Sequence, residues 1–384
     1  MASAPDEFRV EQVQFLFRHG DRAALKWEVY KTDPYDDVYR GIGYGQLTKI
    51  GMQRMYRLGQ MLRKRYADFL GDDPETGEFY ARSTESERTR VSLQLVLAGL
   101  IPPRQKTRWH DELDWVPMPV HYVHHSTDIL MSVVQEANYR KLLREVFEST
   151  DFRKQFDKYK DFYARYTEAT HMTCRRPLSP ILITSNLKCA QALGLPRPDW
   201  CSDEDFATLE EIMGKYYDSM VTTDTMKKLS TGPFLEEALK NIQRPQDGRV
   251  KMYLYSAHEF NLGCFLRAHR PTNGPMLPEF GSCIAIEKLR GKDDRVYIRI
   301  LYWDGGSPAE PEQMYPLKFG DSNRMEHLLE DYLEMVRDIL PDDESKKLMP
   351  KYYQKQPASD TDNSTDFAIL IAGPDLLAVK NYDG

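Results

Sequence analysis

The sequence has no long hydrophobic run. A helix needs about 20 consecutive apolar residues to cross a bilayer, and no stretch of the 384-residue chain approaches that length. The most apolar segment near the C-terminus, Phe367–Val379, is short and is interrupted by Pro374 and Asp375. The sequence therefore predicts no membrane span.

An excess of basic residues is also missing. Lysine and arginine together number 52 against 59 acidic residues, which gives a formal charge of −7. Binding to nucleic acid through its phosphates needs a basic surface, so this balance argues against a nucleic-acid partner. The apolar share of 41% and the charged share of 29% are those of an ordinary globular protein. They exclude disordered, collagen-like and coiled-coil classes.

The sequence has few features that indicate a cellular compartment. Residues Met1–Phe8 contain no basic segment followed by an apolar one, so either the protein is cytosolic or a signal peptide has been removed. The cysteines form no CxxC pair and no metal-ligand spacing. They are Cys174, Cys189, Cys201, Cys264 and Cys283. One N-glycosylation sequon, Asn363–Thr365, lies in a polar tail. These features alone leave the compartment open.

Short apolar runs alternate with helical periodicity along much of the chain. Strands are predicted at residues 12–17, 78–82, 251–256 and 295–303. Helices are predicted at residues 46–70, 91–100 and 260–268. This alternation is typical of an α/β domain with a central, mostly parallel sheet and flanking helices.

A long stretch in the middle of the chain has a different pattern. Residues 139–242 are rich in charge and in amphipathic helical spacing, and they almost lack strand signals. We interpret them as an α-helical subdomain inserted into an α/β domain that occupies residues 8–138 and 243–341. The polar residues 342–384 are predicted to form a tail on the surface.

Three of the predicted strands end in unusually polar turns. These turns are RHGDR (Arg18–Arg22), the segment Arg82–Arg88, and His258–Glu259. Because ligands bind beyond the carboxyl ends of strands in open α/β sheets, we expect these side chains to converge. Guanidinium groups bind phosphate oxygens, a neutral histidine such as His19 can attack phosphorus, and a carboxylic acid can protonate the leaving alcohol. The sequence therefore predicts a phosphate site.

The same residues carry a family resemblance. RHGDR at Arg18–Arg22 resembles the RHGxRxP signature of the histidine acid phosphatases, and Ser256–Glu259 resembles their second signature. Other segments are similar to the prostatic and lysosomal acid phosphatases of animals: Gln46–Met52, Arg63–Tyr66, Tyr80–Thr84, Glu87–Thr89, Trp115–His121 and Leu277–Cys283. The similarity covers roughly residues 10–303, and several strand-end motifs agree with one another.

The resemblance implies an α/β domain with an α-helical cap and a pocket between them. It implies that His19 is the nucleophile that becomes phosphohistidine and that Glu259 stands in the place of the general acid. The residues implied to contact phosphate are Arg18, Arg22, Arg82 and His258. Such enzymes hydrolyse phosphate monoesters without a metal or other cofactor, typically in acidic extracytoplasmic settings. The resemblance therefore favours a secreted protein.

Two residues inside the signatures differ from the family pattern. Ala24 replaces the proline of RHGxRxP, which removes a backbone constraint behind the arginine turn. Glu259 replaces the aspartate that donates the proton, and its side chain is one methylene longer. A misplacement of about 1 Å can cost about 10²-fold in rate, so we expect impaired catalysis.

Two functions are compatible with these residues. The chain is similar to the acid phosphatase-like proteins in the saliva of blood-feeding insects, fleas in particular. That group lacks a complete catalytic set and is associated with binding biogenic amines and leukotrienes. A pocket with a carboxylate and aromatic rings suits serotonin or noradrenaline, and arginines suit an acidic lipid. We therefore expect a secreted scavenger of such mediators, with Glu259, His258 and Trp115 among its ligand-binding residues. The alternative is an active acid phosphatase that works through His19.

Other features support weaker predictions. The aromatic loop Trp27–Tyr44 is compatible with ligand binding or with packing. His124 and His125 are a weak metal signal, because neighbours in sequence usually point apart and no carboxylate spacing supports them, so we expect no metal. The resemblance implies a disulfide between Cys189 and Cys283, and it makes a homodimer a candidate state.

Overall fold

The computed structural model describes residues 7–172, 178–244, 250–306, 314–320, 324–350 and 353. The strands are β1 (Phe8–Arg18), β2 (Phe79–Ser83), β3 (His121–Tyr122), β4 (Met252–Ala257), β5 (Cys283–Gly291), β6 (Val296–Trp303), β7 (Tyr315–Pro316) and β8 (Glu326–Leu328). The helices are α1 (Asp36–Ile42), α2 (Lys49–Arg65), α3 (Ala67–Leu70), α4 (Glu87–Leu100), α5 (Ala137–Glu148), α6 (Thr150–Lys154), α7 (Lys160–Thr170), α8 (Leu178–Ala192), α9 (Asp203–Ser219), α10 (Asp224–Ser230), α11 (Gly232–Gln243), α12 (Glu259–His269), α13 (Leu329–Met335) and α14 (Asp343–Leu348). The predicted α/β class is confirmed. No helix in these described ranges has both the length and the apolar character needed to cross a membrane.

The strands form one mixed sheet. Their order is β3-β2-β4-β1-β5-β6-β7, and β8 also pairs with β6. The strands from β3 to β1 run parallel to one another, whereas β5 to β8 join the sheet in antiparallel pairs. The sheet is therefore mixed: the expected parallel pairing holds from β3 to β1, and the strands from β5 onward are antiparallel. A short turn joins β5 to β6, and a connection of that length can only pair strands antiparallel.

Side chains of β1 alternate between two cores. Phe15 and Phe17 pack on the side of α2 and α4, and Leu16 packs with α11 and α12 on the other face. Gly59 lets α2 and α4 approach closely, because a Cβ there would lie 2.1 Å from the carbonyl oxygen of Val96. This packing on both faces fixes the carboxyl end of β1, where the first polar turn begins.

The central stretch is helical as predicted. Helices α5 to α11 lie between β3 and β4 in the chain, and the described residues between those strands contain no strand. A largely aromatic core holds several of these helices together and includes Phe152, Phe156, Tyr163 and Tyr166. The division at residues 139 and 242 stays a prediction. The start of the predicted tail packs against this insert, since Lys346 of α14 donates to Glu236 of α11 at 2.9 Å.

The disulfide implied by the family resemblance is wrong. Cys189 and Cys283 are both free and buried. Cys189 of α8 packs in a small cluster with Tyr39, whereas Cys283 packs in the core under α2 and α4. The two thiols therefore belong to different clusters. Cys174 and the sequon at Asn363 lie outside the described residues.

Candidate active site

The three polar turns meet at one edge of the sheet. Because β1 pairs in parallel with β4, His19 and His258 leave neighbouring strands side by side. β2 pairs with the other edge of β4, so the segment Arg82–Arg88 begins at the same edge. The ring centroids of the two histidines lie 5.6 Å apart. The structure thus brings together the side chains whose convergence the sequence predicted.

His19 is a neutral imidazole with an available nitrogen. Its Nδ1 lies 2.9 Å from the carbonyl oxygen of Gly20, and because a carbonyl only accepts, Nδ1 carries the proton. Burial, followed by the charges of Arg88 and Arg18, lowers the pKa of His19 well below its ordinary value. The Nε2 lone pair can therefore attack phosphorus without prior loss of a proton.

His258 is held as the opposite tautomer. Its Nε2 lies 2.9 Å from Thr84 Oγ1, and its Nδ1 lies 3.3 Å from Arg88 Nη2. Arginine only donates, so Nδ1 accepts and the Nε2 proton is donated to Thr84. The Thr84 hydroxyl lies 2.8 Å from that of Thr89, which donates to the Ser86 carbonyl. Burial, followed by the charge of Arg88, lowers the pKa of His258 well below its ordinary value, in agreement with a neutral ring.

Arg18 is held from three sides. Its Nη2 lies 2.5 Å from Glu259 Oε2, and its Nη1 donates to the carbonyl oxygen of Pro278 at 2.7 Å. The guanidinium also stacks on Phe280, 4.0 Å from the ring centroid. A phosphate group would therefore compete with Glu259 for this guanidinium.

Arg22 and Arg82 also have carboxylate partners. Glu28 accepts two hydrogen bonds from Arg22, at 2.6 and 2.7 Å, and both side chains are buried. Asp128 accepts from Arg82 at 2.5 Å, and its side chain is fully buried. The protein's own acids thus partly neutralise the arginines predicted to bind phosphate.

Arg88 differs from these three arginines. It lies in the first turn of α4, and no carboxylate among the described residues pairs with it. Burial, followed by the charge of Arg22, lowers the pKa of Arg88 to about 9. The buried Nε–H groups that donate to no described residue include those of Arg18, Arg22, Arg82 and Arg88. An anion with several acceptor oxygens matches such a set of donors.

Glu259 lies between Arg18 and the helical insert. It is the first residue of α12, after His258 as the N-cap. Its Oε2 contacts Arg18, and its Oε1 is buried. Tyr217 of α9 lies beside this carboxylate as a hydrogen-bond donor; burial, and then the charge of Glu259 and the hydrogen bond to it, raise the pKa of Tyr217 well above its ordinary value. Gly263 makes room for that ring, because a Cβ there would lie 2.8 Å from it.

The remaining aromatic candidates pack elsewhere. Trp115 is 40% exposed and makes a ring contact with Trp109 at 6.4 Å. No hydrogen bond or ring contact in the described part of the chain joins it to the histidines or arginines, so its ligand role stays a prediction. In the aromatic loop, Tyr30 packs against Trp200 of the insert at 6.1 Å and Tyr39 is fully buried. These two rings therefore contribute to packing.

Four residues of the site were missed by sequence reasoning: Glu28, Arg88, Asp128 and Tyr217. Glu28 and Asp128 lie 6 and 46 residues from the arginines they bind, and no spacing rule connects them. Tyr217 comes from a helix of the insert, which carries no motif. Arg88 could have been found, because it belongs to one of the three polar turns.

Sequence similarity to known proteins agrees with this geometry. Residues 9–303 match the family described as the histidine phosphatase superfamily (branch 2). The chain is 32% identical over 344 residues to the venom acid phosphatase Acph-1 of Apis mellifera, covering 87% of this chain and 86% of that protein. It is 30% identical over 347 residues to the prostatic acid phosphatase of Homo sapiens, covering 88% and 87%.

A solved structure shares the fold. The apo form of the Hafnia alvei phytase superposes with a TM-score of 0.66 at 15% identity, covering 88% of this chain and 98% of that one. Because the identity is so low, this likeness concerns the fold alone. The family match over most of the chain decides the assignment: this protein belongs to branch 2 of the histidine phosphatase superfamily.

Proposed function

We propose that this protein is a secreted, acid phosphatase-like scavenger with impaired catalysis that binds small-molecule mediators between the side chains around His19 and His258, a place that we call the cleft. The proposed ligands are biogenic amines, such as serotonin and noradrenaline, and leukotrienes. The observation that supports this most is the state of Glu259. One of its oxygens lies 2.5 Å from Arg18, and the other is buried, with Tyr217 as the neutral donor beside the carboxylate.

Impaired hydrolysis follows from the placement of this carboxyl group. When a histidine attacks phosphorus, a general acid must give a proton to the leaving alcohol. The Glu259 carboxyl group holds the Arg18 guanidinium at 2.5 Å, and turning it toward a leaving group breaks that contact. General acid catalysis contributes about 10²–10⁴-fold to rate, which sets the size of the expected deficit.

An amine would bring a charged donor to the buried oxygen of Glu259. A primary ammonium brings three donors and a positive charge to Glu259 Oε1. Aromatic rings lie close by: Phe280 stacks on Arg18, and Phe260 stacks on His258 with 5.8 Å between ring centroids. Such rings favour the indole or catechol group of an amine mediator.

An acidic mediator would use the other unpaired groups of the cleft. Arg88 pairs with no described carboxylate, and its Nε–H is buried without an acceptor. The two oxygens of a leukotriene carboxylate can accept two parallel hydrogen bonds from one guanidinium group. Arg88 is therefore the proposed anchor for acidic ligands.

Secretion is part of the proposal. One relative is named a venom acid phosphatase and another, from Rattus norvegicus, a lysosomal one. These names favour a protein that leaves the cytosol. Expression of the full-length gene product in cultured animal cells, followed by its detection in medium or in lysate, tests this part.

Calorimetric titration with serotonin and noradrenaline tests amine binding. Wild type is expected to bind in the micromolar range or tighter, and Glu259→Gln to lose at least about 10-fold in affinity, because a charged hydrogen bond is worth about 1.5–3 kcal/mol. Glu279→Gln is a matched control: this carboxylate is half-exposed, precedes Phe280 and binds Lys188 at 2.7 Å. Flat titrations with both amines and with a leukotriene, or an equal loss in Glu279→Gln, would contradict the proposal.

The tautomer of His19 favours an alternative function, an active acid phosphatase. The Nε2 lone pair is available, because the Nδ1 proton is donated to Gly20 at 2.9 Å. In that case His19 forms a phosphohistidine and water later releases phosphate. This alternative predicts robust wild-type turnover of phosphate monoesters that His19→Ala abolishes.

A further inference from the structure

Two neighbouring histidines turn toward one carboxylate beside the cleft. Sequence neighbours usually point apart, yet the rings of His124 and His125 lie 4.3 Å apart, centroid to centroid. Glu85 Oε2 accepts a hydrogen bond from His125 Nδ1 at 2.9 Å, a proton that a metal ion would replace, and lies 3.9 Å from His124 Nε2. Glu85 lies 40 residues before His125 in the chain, so no spacing in the sequence predicts that the two residues meet.

These separations fit a tetrahedral metal ion. Zinc bonds of about 2.0–2.2 Å to nitrogen and oxygen place two ligand atoms about 3.3–3.5 Å apart. The measured separations of 2.9 and 3.9 Å lie on either side of that value, and one donor atom from each of the three residues lies within 4.8 Å of the others. We propose that Glu85, His124 and His125 bind a divalent transition metal ion such as zinc. Two imidazoles and a carboxylate favour such an ion over magnesium or calcium, which prefer oxygen ligands.

Neighbouring groups orient these ligands. The backbone N–H of His125 donates to Glu85 Oε2 at 2.9 Å and so positions the carboxylate. His124 Nδ1 lies 2.7 Å from Ser126 Oγ and accepts a hydrogen bond from the backbone N–H of Ser126 at 3.3 Å, so two contacts hold this ring in place with Nε2 toward Glu85. A partner for the second ring nitrogen is usual for metal-bound histidines, because it fixes the tautomer and the ring orientation.

The site is open on one side. The Glu85 and His125 side chains are 14% and 7% exposed, whereas that of His124 is 28% exposed, so an ion can enter past His124. A cavity of about 220 Å³ lies beside His125 and is also lined by Asp128. Three protein ligands leave a fourth position for water, which is the pattern of an exchangeable site.

A bound ion would link two segments that support the arginines of the cleft. Glu85 lies in the turn between β2, which carries Arg82, and α4, which carries Arg88. The two histidines come just before Asp128, which holds Arg82 at 2.5 Å. The ion would therefore cross-link the turn between these arginines to the segment that neutralises one of them.

Cobalt(II) titration of the full chain, without a polyhistidine tag and at about pH 7.5, tests the site, because imidazole is neutral there. One cobalt ion should bind with visible ligand-field absorption, and zinc should displace it. Glu85→Gln, His124→Asn and His125→Asn should each weaken binding at least about 10-fold. His171→Asn is the control: this exposed histidine has a φ of 54°, a conformation that asparagine tolerates.

Saturable binding that is lost in the three ligand variants and kept in His171→Asn supports the site. Absence of saturable binding, binding that the three variants do not change, or an absorption band from sulfur ligation overturns it. Thermal unfolding shows whether each variant is folded, so that a loss of metal binding is not caused by misfolding. Zinc should raise the Tm of wild type but not that of Glu85→Gln, whose cooperative melting without zinc shows that it is folded.

Discussion

Two buried charge clusters on the same sheet are balanced in different ways. On β5, both oxygens of Glu287 have donors: Tyr66 at 2.7 Å and Arg299 at 2.5 Å, a group that we call the Glu287 cluster. Around His19 and His258, Arg88 pairs with no described carboxylate, and Tyr217 is the neutral donor beside Glu259. The first cluster pairs its charges within the chain, whereas the second leaves one cation without a carboxylate among the described residues.

The difference separates structural charges from functional ones. A satisfied buried network holds its elements in place, and removing one member leaves an uncompensated charge that is costly. Buried donors and acceptors without partners lower the free energy of unfolding of the unliganded protein. A ligand that supplies these partners raises it again. The comparison therefore predicts opposite responses to mutation in the two clusters.

The largest expected effect is in the Glu287 cluster. Glu287→Gln removes a fully buried carboxylate and leaves Arg299 with Glu326, at 3.0 Å, as its carboxylate partner, so the free energy of unfolding should fall by about 2 kcal/mol. Urea unfolding measures this change, and amine binding by the folded variant should stay as in wild type. A loss below about 1 kcal/mol, the size expected of an exposed ion pair, would show that this cluster is not structural.

Acidification should act on the site through His19 and His258. His19 and His258 have pKa values well below the ordinary 6.5, so the folded chain stays unprotonated where the unfolded chain takes up protons. Their contribution to stability is therefore complete above about pH 6.5 and is lost as the pH falls below it, by about 1.4 kcal/mol per pH unit for each group.

Urea unfolding across this pH range measures the contribution of each histidine. His19→Asn should lower the slope of the unfolding free energy against pH by the contribution of one histidine. Glu287→Gln should keep the wild-type slope, because the Glu287 cluster contains no histidine. An unchanged slope in His19→Asn would contradict the neutral, buried state of this ring.

The smallest expected effect on stability is at Arg88. Because Arg88→Met removes a cation that has no described carboxylate partner and breaks one long hydrogen bond, to His258 Nδ1 at 3.3 Å, stability should stay within about 1 kcal/mol of wild type. Phosphate or vanadate should nevertheless compete with the amines about 10-fold less well, since the charged hydrogen bond is lost. Arg54→Met is the control: Arg54 binds the buried Asp21 at 2.6 Å, so its loss should destabilise the fold. Equal destabilisation by Arg88→Met and Arg54→Met would contradict the claim that Arg88 contributes less to stability than an arginine with a buried carboxylate partner.

Local patterns were enough to predict much of the fold. Strands β1, β2, β4 and β6 and the helices around them follow from apolar periodicity in single segments. β5 was missed because Glu287 and Lys288 interrupt its apolar run. Those charges are accepted inside the protein only because residues from other elements, such as Arg299, lie against them.

The same limit applies to the site. His19 and His258 could be predicted to meet, because parallel strands end at one edge of a sheet. Glu28 and Asp128 could not, since each meets its arginine through the folded backbone and not through a repeat or a helical spacing. The implied disulfide failed for a related reason: a family position does not fix the distance between two thiols in this chain.

The central claim is that Glu259 pairs with Arg18 and does not donate a proton to a leaving group. Hydrolysis of an aryl phosphate tests it most directly, measured at about pH 5, near the ordinary pKa range of carboxyl groups. Wild type should turn over weakly, Glu259→Asp should raise the rate about 10-fold or more, and adding His19→Ala should abolish that gain. Robust wild-type turnover that His19→Ala removes and Glu259→Asp does not improve would contradict the account.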